Sequence, residues 1–313
     1  MQFFRGRVLL LCIAGAPTLP FAAGCATQET DVSLSRVRFD QPSNATKAVL
    51  LGTAQIPNSE FVVPGLTRAR RAAALCLVAA AERRLFVVDP GSEILEQLGD
   101  VILPPELARP PDSPPADGVL LSFVDAEKIA GVCTLAERSP AGRPLPVWCA
   151  RMHRPALEHD PAISAEIANR RITVEALETG TPLPLGESLR VTARSVFSAQ
   201  AVTLEFAGAK RSLLWAPRLG SMTDLAPPLR TLISGVAVAL LDGARVPPNP
   251  QGAARDPIDA VLSASAGLPE PKRTILFLRL DPRDPLLDPA LPMRDLLRKR
   301  SADVAEDGSE FWL

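Results

Sequence analysis

Residues 121–131 read LSFVDAEKIAG, an apolar strand end followed by an acidic loop and the start of a helix. The strand begins upstream at DGVLLS, and the helix is predicted to run to Glu137 with Asp125 as its N-cap. Its apolar face has helical spacing: Ile129, Val132, Cys133 and Leu135. The stretch therefore predicts a strand that runs directly into an amphipathic helix, a unit typical of α/β folds.

The same alternation of short apolar strands and amphipathic helices extends in both directions. Strands are predicted at KAVLLGT, ALCLVAA, LFVVDPG, PVWCA, ITVEAL, LRVTARSV, AVTLEFA, SLLWAP, VAVALLDG and RTILFLRL. Further helices are predicted at SEILEQLG, with Ser92 as N-cap, and over residues 155–168, 225–233, a short segment after 257, and 293–300. Antiparallel strand runs mixed with strand–helix crossovers predict one α/β domain with helix-covered sheets.

The composition excludes several classes of protein. The 313 residues are 47% hydrophobic, which is too apolar for a disordered chain and sufficient for a large core. The net charge of −1 gives no general attraction to polyanions, so nucleic-acid binding is not expected. The 32 prolines are concentrated in part in two loops, residues 104–115 and 244–257, which predicts stiff connections around a globular core.

The N-terminus has the layout of a secretory signal. Arg5 and Arg7 precede an apolar run that is too short for a membrane span, and small residues follow it. Residues 1–24 are therefore interpreted as a signal peptide, residues 25–46 as a polar tether, and residues 47–313 as the domain.

The sequence Ala-Ala-Gly-Cys at the end of the signal resembles a bacterial lipobox, in which Cys25 becomes the lipidated first residue. Ordinary cleavage without lipid is the alternative. A lipid at Cys25 would hold the domain on a membrane from the periplasmic side. Ala26 is not the aspartate that usually retains such proteins at the inner membrane, so the outer membrane is expected.

The cysteines that remain after Cys12 and Cys25 are Cys76, Cys133 and Cys149. They form no C-x-x-C pair, and Cys76 and Cys149 lie in strand-like runs, which indicates core positions. One disulfide among the three stays open, and a cysteine metal site is not expected.

Several segments together, from about residue 47 to the C-terminus, resemble the coenzyme PQQ synthesis protein B family, a branch of the metallo-β-lactamase fold. VLLGTAQ is similar to its opening strand, and DGVLLSFVDAEKIAGVCTLAE to its metal-loop strand and helix. SLLWAPRLG, VALLDG and RTILFLRLDPRDPLLD are similar to its later landmarks in the same order. The resemblance implies an αββα sandwich.

The departures from that family fall on the residues that would perform its chemistry. Phe123 and Lys128 stand where the metal loop would contain imidazoles, and Glu127 replaces its aspartate. Arg279 replaces the histidine that ends the last strand, and Arg218 replaces the glycine of an Ala-Pro-Gly element. The metal loop is therefore expected to be inactive.

A catalytic zinc or iron takes about three protein ligands drawn from imidazole, thiolate and carboxylate. His153 and His159 are the two histidines of the chain, and both are predicted to be surface or loop residues away from the metal loop. The weak candidates for a hard cation are three carboxylates: Asp125, Glu127 and Asp242. The ammonium of Lys128 would compete with a cation there, so no metal or other cofactor is expected, and no catalytic residue is assigned.

The candidate ligand-binding residues are Lys128, Arg279, Arg218, Glu127 and Asp242. Two interpretations of their charges remain open. In the first, Lys128 and Arg279 pair with Glu127, Asp242 or Asp281, because buried carboxylates need neutralisation. In the second, the cations bind an anion such as a carboxylate, for which a guanidinium fork is suited.

The resemblance implies an association with the biosynthesis of pyrroloquinoline quinone (PQQ), or with transport of PQQ or its precursor to the periplasm. A metal-free, non-catalytic accessory protein is the first hypothesis, with PQQ or a quinoprotein as partner. A metal-dependent hydrolase or oxidase with an atypical ligand set is the alternative, and it requires a histidine within roughly 5 Å of the carboxylates. A third hypothesis is a scaffold that has no open pocket.

Overall fold

The computed structural model describes residues 46–54, 71–101, 103, 109–110, 113–140, 142–198, 201–219, 226–244, 257–268, 273–281, 284–288 and 292–313. The predicted signal peptide, Cys25 and all but the last residue of the predicted tether lie outside the described residues, as does most of the second proline-rich loop. Within these ranges, every helix is too short or too polar to span a bilayer.

Two seven-stranded sheets form the centre of the fold. The first contains β1 (Thr46–Gly52), β2 (Ala74–Ala79), β3 (Arg84–Val88), β4 (Gly118–Leu121), β5 (Leu145–Ala150), β6 (Ile172–Leu177) and β14 (Glu310–Trp312). The second contains β7 (Pro182–Pro184), β8 (Arg190–Ser198), β9 (Ala201–Ala207), β10 (Ser212–Ala216), β11 (Val238–Asp242), β12 (Thr274–Leu278) and β13 (Ala302–Val304). Strands β3 to β6 are parallel, and so are β10 to β13.

Helices cover the outer face of each sheet. On the first sheet these are α1 (Ile94–Gly99), α2 (Ala126–Glu137), α3 (Arg154–His159) and α4 (Pro161–Ala168). On the second sheet they are α5 (Ala226–Ser234), α6 (Pro257–Ser265) and α7 (Pro292–Arg298). A 3-10 turn at Pro285–Leu287 precedes α7. The order helix, sheet, sheet, helix confirms the predicted αββα sandwich.

The central strands are buried on both faces, which explains their continuous apolar sequences. In β1, Ala48 and Leu50 face the core between the sheets, whereas Val49 and Leu51 face the helices. The alternation has the period of two that a strand requires. Parallel strands buried on both faces contain apolar residues at every position, so their sequences show no polar alternation.

The prediction of one continuous helix over residues 155–168 is wrong. The structure has two helices, because Asp160 and Pro161 end the first and begin the second. The Asp160 carboxylate accepts hydrogen bonds from Ala162 N at 2.9 Å and Ile163 N at 3.3 Å. Aspartate at the N-cap followed by proline at the first helical position is a favoured helix start.

The three cysteines of the domain are free thiols, so the disulfide that the sequence left open is not formed. Cys76 and Cys149 are buried in strands, as predicted, and Cys133 is half-buried. Burial raises the pKa of Cys76 and of Cys149 to about 12, which keeps both thiols protonated.

Gly131 allows α2 to pack closely against the loop after β3. A Cβ atom at this position would lie 2.4 Å from Pro90 O and 2.7 Å from Gly91 O, both of them backbone atoms. We therefore expect Gly131→Ala to lower the free energy of unfolding by about 1–3 kcal/mol, despite the higher helix propensity of alanine. Urea denaturation measures this change.

Gly99→Ala at the end of α1 is the matched control, because among the described residues no atom outside its own helix and chain neighbours lies within 4 Å of the added Cβ. It should be neutral or slightly stabilising. Equal losses in the two variants would show that close packing at Gly131 is not the cause.

Candidate functional site

The parallel strands of both sheets end at one edge of the sandwich, and the candidate site lies there. Asp89 follows β3, and residues 122–125 follow β4. From the second sheet, Pro217 follows β10, Asp242 ends β11 and Arg279 follows β12. Ligands of α/β proteins bind beyond the carboxyl ends of such strands.

A cleft of about 350 Å³, counting its open mouth, lies at this edge. Its lining residues are Ala54, Ala72, Ala73, Phe123, Asp125, Glu127, Lys128, Pro217 and Arg279. The structure therefore brings together Asp125, Glu127, Lys128 and Arg279, four of the residues singled out in the sequence. Arg218 lies at the rim beside Pro217, and Asp242 contacts Arg279 from behind.

Asp89 is the central buried carboxylate of the site, and the sequence reasoning missed it. It is fully buried and accepts hydrogen bonds from Ser122 N at 2.7 Å, from Ser122 Oγ, and from Trp215 Nε1 at 2.6 Å. Because Trp215 belongs to β10, this bond connects the two sheets. The available signal was an aspartate directly after a buried strand in LFVVDPG.

Lys128 is the buried cation of the cleft. Its Nζ donates hydrogen bonds to Asp89 O at 2.8 Å and to Ala73 O at 3.2 Å, and it lies 5.6 Å from the centre of the Phe123 ring. Burial lowers the pKa of Lys128, and attraction to the Asp89 carboxylate opposes that change. Burial likewise raises the pKa of Asp89, opposed by Lys128 and by its hydrogen-bond donors.

The ion pair predicted for Lys128 with Glu127, Asp242 or Asp281 is not formed: its ammonium donates to the backbone carbonyls of Asp89 and Ala73, and the nearby charges that attract it are those of Asp89, Asp125 and Glu127. The lysine side chain points inward from the first turn of α2 and reaches the end of β3. Glu127, on the neighbouring helical position, projects in a different direction.

Arg279 forms the ion pair that the first interpretation predicted. Its Nη1 donates a hydrogen bond to Pro217 O at 2.6 Å and lies 3.6 Å from Asp242 Oδ2. Asp242 also accepts hydrogen bonds from Leu219 N at 3.2 Å and Ala244 N at 3.0 Å. Burial raises the pKa of Asp242, and Arg279 acts in the opposite direction.

Asp89 and Arg279 share an unusual backbone conformation. Their φ angles are 50° and 57°, in the left-handed region that residues other than glycine seldom adopt. Each follows the last residue of a parallel strand and directs a charged side chain to the same edge. Such strain costs on the order of 1–3 kcal/mol for each residue and is concentrated at functional sites.

Arg218 stacks on the cleft's aromatic residue. Its Cζ lies 4.4 Å from the centre of the Phe123 ring, and its Nη2 lies 3.6 Å from Asp125 Oδ2. The side chains of Arg218 and Asp125 are each 35% exposed. Asp125 is also the N-cap of α2, as predicted, because its carboxylate accepts a hydrogen bond from Lys128 N at 3.1 Å.

Glu127 is held by the residue that was predicted to cap α1. Its Oε1 accepts hydrogen bonds from Ser92 N at 2.8 Å and from Ser92 Oγ at 2.9 Å. Glu93, not Ser92, occupies the N-cap position of α1, and its side chain makes no cap hydrogen bond. The prediction for Ser92 is wrong because its hydroxyl group bonds to α2 instead of its own helix.

A family model described as "Beta-lactamase superfamily domain" matches residues 84–277, more than half of the chain. The chain belongs to this family. A search of curated proteins found no match.

Solved structures of the β-lactamase superfamily share the fold. Zn²⁺-bound PqqB from Methylobacterium extorquens has a TM-score of 0.66 at 17% identity, covering 85% of this chain and 100% of that one. YhfI from Bacillus subtilis has a TM-score of 0.56 at 14% identity, covering 86% and 100%. Human tRNase Z, short form, has a TM-score of 0.53 at 13% identity, covering 85% and 98%. At these identities the likeness establishes the metallo-β-lactamase fold alone.

Because one of the similar structures contains Zn²⁺, the histidines of this chain are the first side chains to consider as metal ligands. Both histidines were predicted to be surface or loop residues; His153 lies in the turn after β5, where its N donates to Ala150 O, but it is buried there, with 7% exposure. His159 Nδ1 lies 2.6 Å from Pro155 O on α3. Neither histidine belongs to the described lining of the cleft.

The residues present in the cleft do not fit a catalytic zinc or iron. Each carboxylate considered as a weak ligand has another partner: Asp125 has Arg218, Glu127 has Ser92, and Asp242 has Arg279. Within the described ranges, no group of three histidine, cysteine, aspartate or glutamate side chains is placed to hold a metal ion. Two fixed cations, Lys128 and Arg279, line the same space and would repel a metal.

Proposed function

We propose that this protein binds a carboxylate-bearing small molecule in the cleft, without a metal and without catalysing a reaction. The observation that supports this is the geometry of its two guanidinium groups. Arg218 and Arg279 each lie 3.6 Å from a carboxylate oxygen, a separation too long for a direct hydrogen bond. Their N–H donors can therefore form charge-assisted hydrogen bonds to an incoming carboxylate.

The inner charges of the cleft support binding in preference to chemistry. Lys128 is committed to Asp89 and two carbonyl groups, so its charge is largely compensated inside the protein. The arginines are placed nearer the open side, where Arg218 is 35% and Arg279 is 11% exposed. An anion at this position would be attracted without the full desolvation cost of a deep site.

PQQ or its precursor is the ligand that we propose. PQQ is a planar tricarboxylate, so two of its three carboxylates can be attracted to the two guanidinium groups. The structural similarity to PqqB and the segments that resemble the PQQ synthesis protein B family favour this ligand over other acids. The protein would then act in the biosynthesis of PQQ or its transport to the periplasm, or deliver it to a quinoprotein partner.

The test combines metal analysis with a ligand titration. The full chain is purified in detergent without chelator, analysed for zinc and iron by plasma mass spectrometry, and titrated with PQQ by calorimetry. We expect saturable binding of PQQ by protein that contains less than stoichiometric metal. Stoichiometric metal whose removal abolishes binding would instead favour the metal-dependent hydrolase or oxidase, and no heat of binding would refute PQQ as the ligand.

We further propose that Cys25 is lipidated and anchors the domain to the outer membrane at its periplasmic face. The Ala-Ala-Gly-Cys sequence and Ala26 support this assignment. Metabolic labelling with an alkyne fatty acid should label the wild-type protein and not Cys25→Ala. Fractionation of the membranes should recover the labelled protein with the outer membrane, and recovery of unlabelled protein in the soluble periplasm would contradict the proposal.

A further inference from the structure

Phe123 and Arg218 form a two-layer platform at the mouth of the cleft. The ring of Phe123 is 3% exposed, and its backbone is fixed by a bridge to Ala201 of the second sheet. The guanidinium of Arg218 covers the ring at 4.4 Å, whereas the Arg218 side chain remains 35% exposed. One face of the guanidinium is thus occupied by the ring, and the opposite side is open to solvent.

A single turn places the two arginines of the cleft side by side. Pro217 precedes Arg218 in the sequence, and its carbonyl oxygen accepts the hydrogen bond from Arg279 Nη1 at 2.6 Å. A ligand with two carboxylates can therefore contact both guanidinium groups while its body lies over Arg218. An aromatic body gains stacking energy there that an aliphatic one does not.

The carboxylate of Asp125 lies beside Arg218, in the position that a carboxylate of the ligand would take. Its Oδ2 lies 3.6 Å from Arg218 Nη2, and it is as exposed as the arginine itself. A ligand must compete with this contact, because its carboxylates and Asp125 carry the same charge and are attracted to the same guanidinium. Glu127, the other acidic lining residue, is held instead by two hydrogen bonds from Ser92.

From these contacts we infer that Arg218 is the specificity residue of the cleft and selects planar aromatic dicarboxylates, with Asp125 as an internal competitor. The inference rests on the proposed carboxylate site and adds the class of ligand. Arg218 supplies a stacking face and its positive charge, Arg279 supplies a hydrogen-bonding edge for a carboxylate, and Phe123 fixes the orientation of the Arg218 guanidinium.

The test uses two dicarboxylates with equal charge and equal spacing, benzene-1,3-dicarboxylate and glutarate, as competitors of PQQ in calorimetry. The wild-type protein should prefer the aromatic competitor by roughly five- to tenfold. Arg218→Lys retains the charge but lacks a planar face, so the preference should fall to about onefold. An undiminished preference in this variant, or none in the wild-type protein, would overturn the inference.

Asp125→Asn provides the second measurement. Asparagine caps a helix as well as aspartate does, so the variant removes the competing charge and retains the start of α2. Its affinity for PQQ should rise by roughly three- to tenfold, and by more than that of Glu127→Gln, which removes an equal charge from a residue held elsewhere. Equal gains in the two variants, or no gain, would contradict the role of Asp125. Absence of any PQQ binding by the wild-type protein would instead refute the proposed function itself.

Discussion

Replacement of Lys128 by methionine should lower the free energy of unfolding by about 3–5 kcal/mol, because it leaves a buried carboxylate without its cation. Methionine has a similar length and fills the same space. Asp89 would retain its donors from Ser122 and Trp215 but lose the charge that balances it. The carbonyl oxygens of Ala73 and Asp89 would also lose the donor they share. Urea denaturation at neutral pH measures the loss.

A double-mutant cycle with Asp89→Asn separates the electrostatic attraction between Lys128 and the Asp89 carboxylate from simple packing. Asparagine retains an oxygen acceptor for Trp215 Nε1 and removes the charge. The combined variant should lose less stability than the sum of the single variants, by about 0.5–3 kcal/mol. Strictly additive losses would show that Lys128 and Asp89 do not interact energetically.

Lys47→Met is the matched control for the Lys128 variant. Lys47 is also fully buried, pairs with Glu310, and lies 5.0 Å from the centre of the Trp312 ring. Glu310 is 26% exposed, so water can solvate it when the lysine is removed. We therefore expect a loss of only about 1 kcal/mol. A loss as large as that of Lys128→Met would mean that burial of the lysine, and not of its partner, determines the cost.

The layered fold was predictable because its strands are buried on both faces and therefore form unbroken apolar runs. Of the four edge strands, β6 was predicted and the other three were not. β7, β13 and β14 have three residues each, too few for a periodic pattern to be distinguished from a loop. The position of β14 also depends on pairing with a distant segment, as Lys47 pairs with Trp312, which no local pattern contains.

The clustering of Asp125, Glu127, Lys128 and Arg279 and the pairing of Arg279 with Asp242 were predictable, whereas Asp89 and the contacts of Lys128 were not. The resemblance to the PQQ synthesis protein B family indicated one cluster, because Lys128, Arg279 and Arg218 stand at positions of that family's metal-site elements. The choice of Asp89 as the partner of Lys128 depends on the direction of the lysine from the first turn of α2, which is set by packing. The burial of His153 was not predicted, because it depends on how the turn after β5 packs.

Arg279 is the residue whose loss should affect ligand affinity most. It lines the cleft and is fixed by Pro217 O and Asp242, so its guanidinium is already ordered when a ligand arrives. Truncating one member of a desolvated, hydrogen-bonded charge pair costs about 2–3 kcal/mol of binding, which is roughly 30- to 150-fold in affinity. Arg279→Met should therefore weaken PQQ binding by that factor in a calorimetric titration.

Two further variants test whether the loss of affinity comes from the bidentate geometry of Arg279, from its charge or from a less stable fold. Arg279→Lys retains the charge beside Asp242 but loses the bidentate geometry, so the affinity for PQQ should fall by only about tenfold. Arg294→Met removes another buried arginine, which pairs with Asp303 and Glu306 away from the cleft. It should lower stability and leave PQQ affinity unchanged. If Arg279→Met and Arg294→Met weaken binding equally, the loss comes from a less stable fold; if only Arg279 matters, its guanidinium holds the ligand.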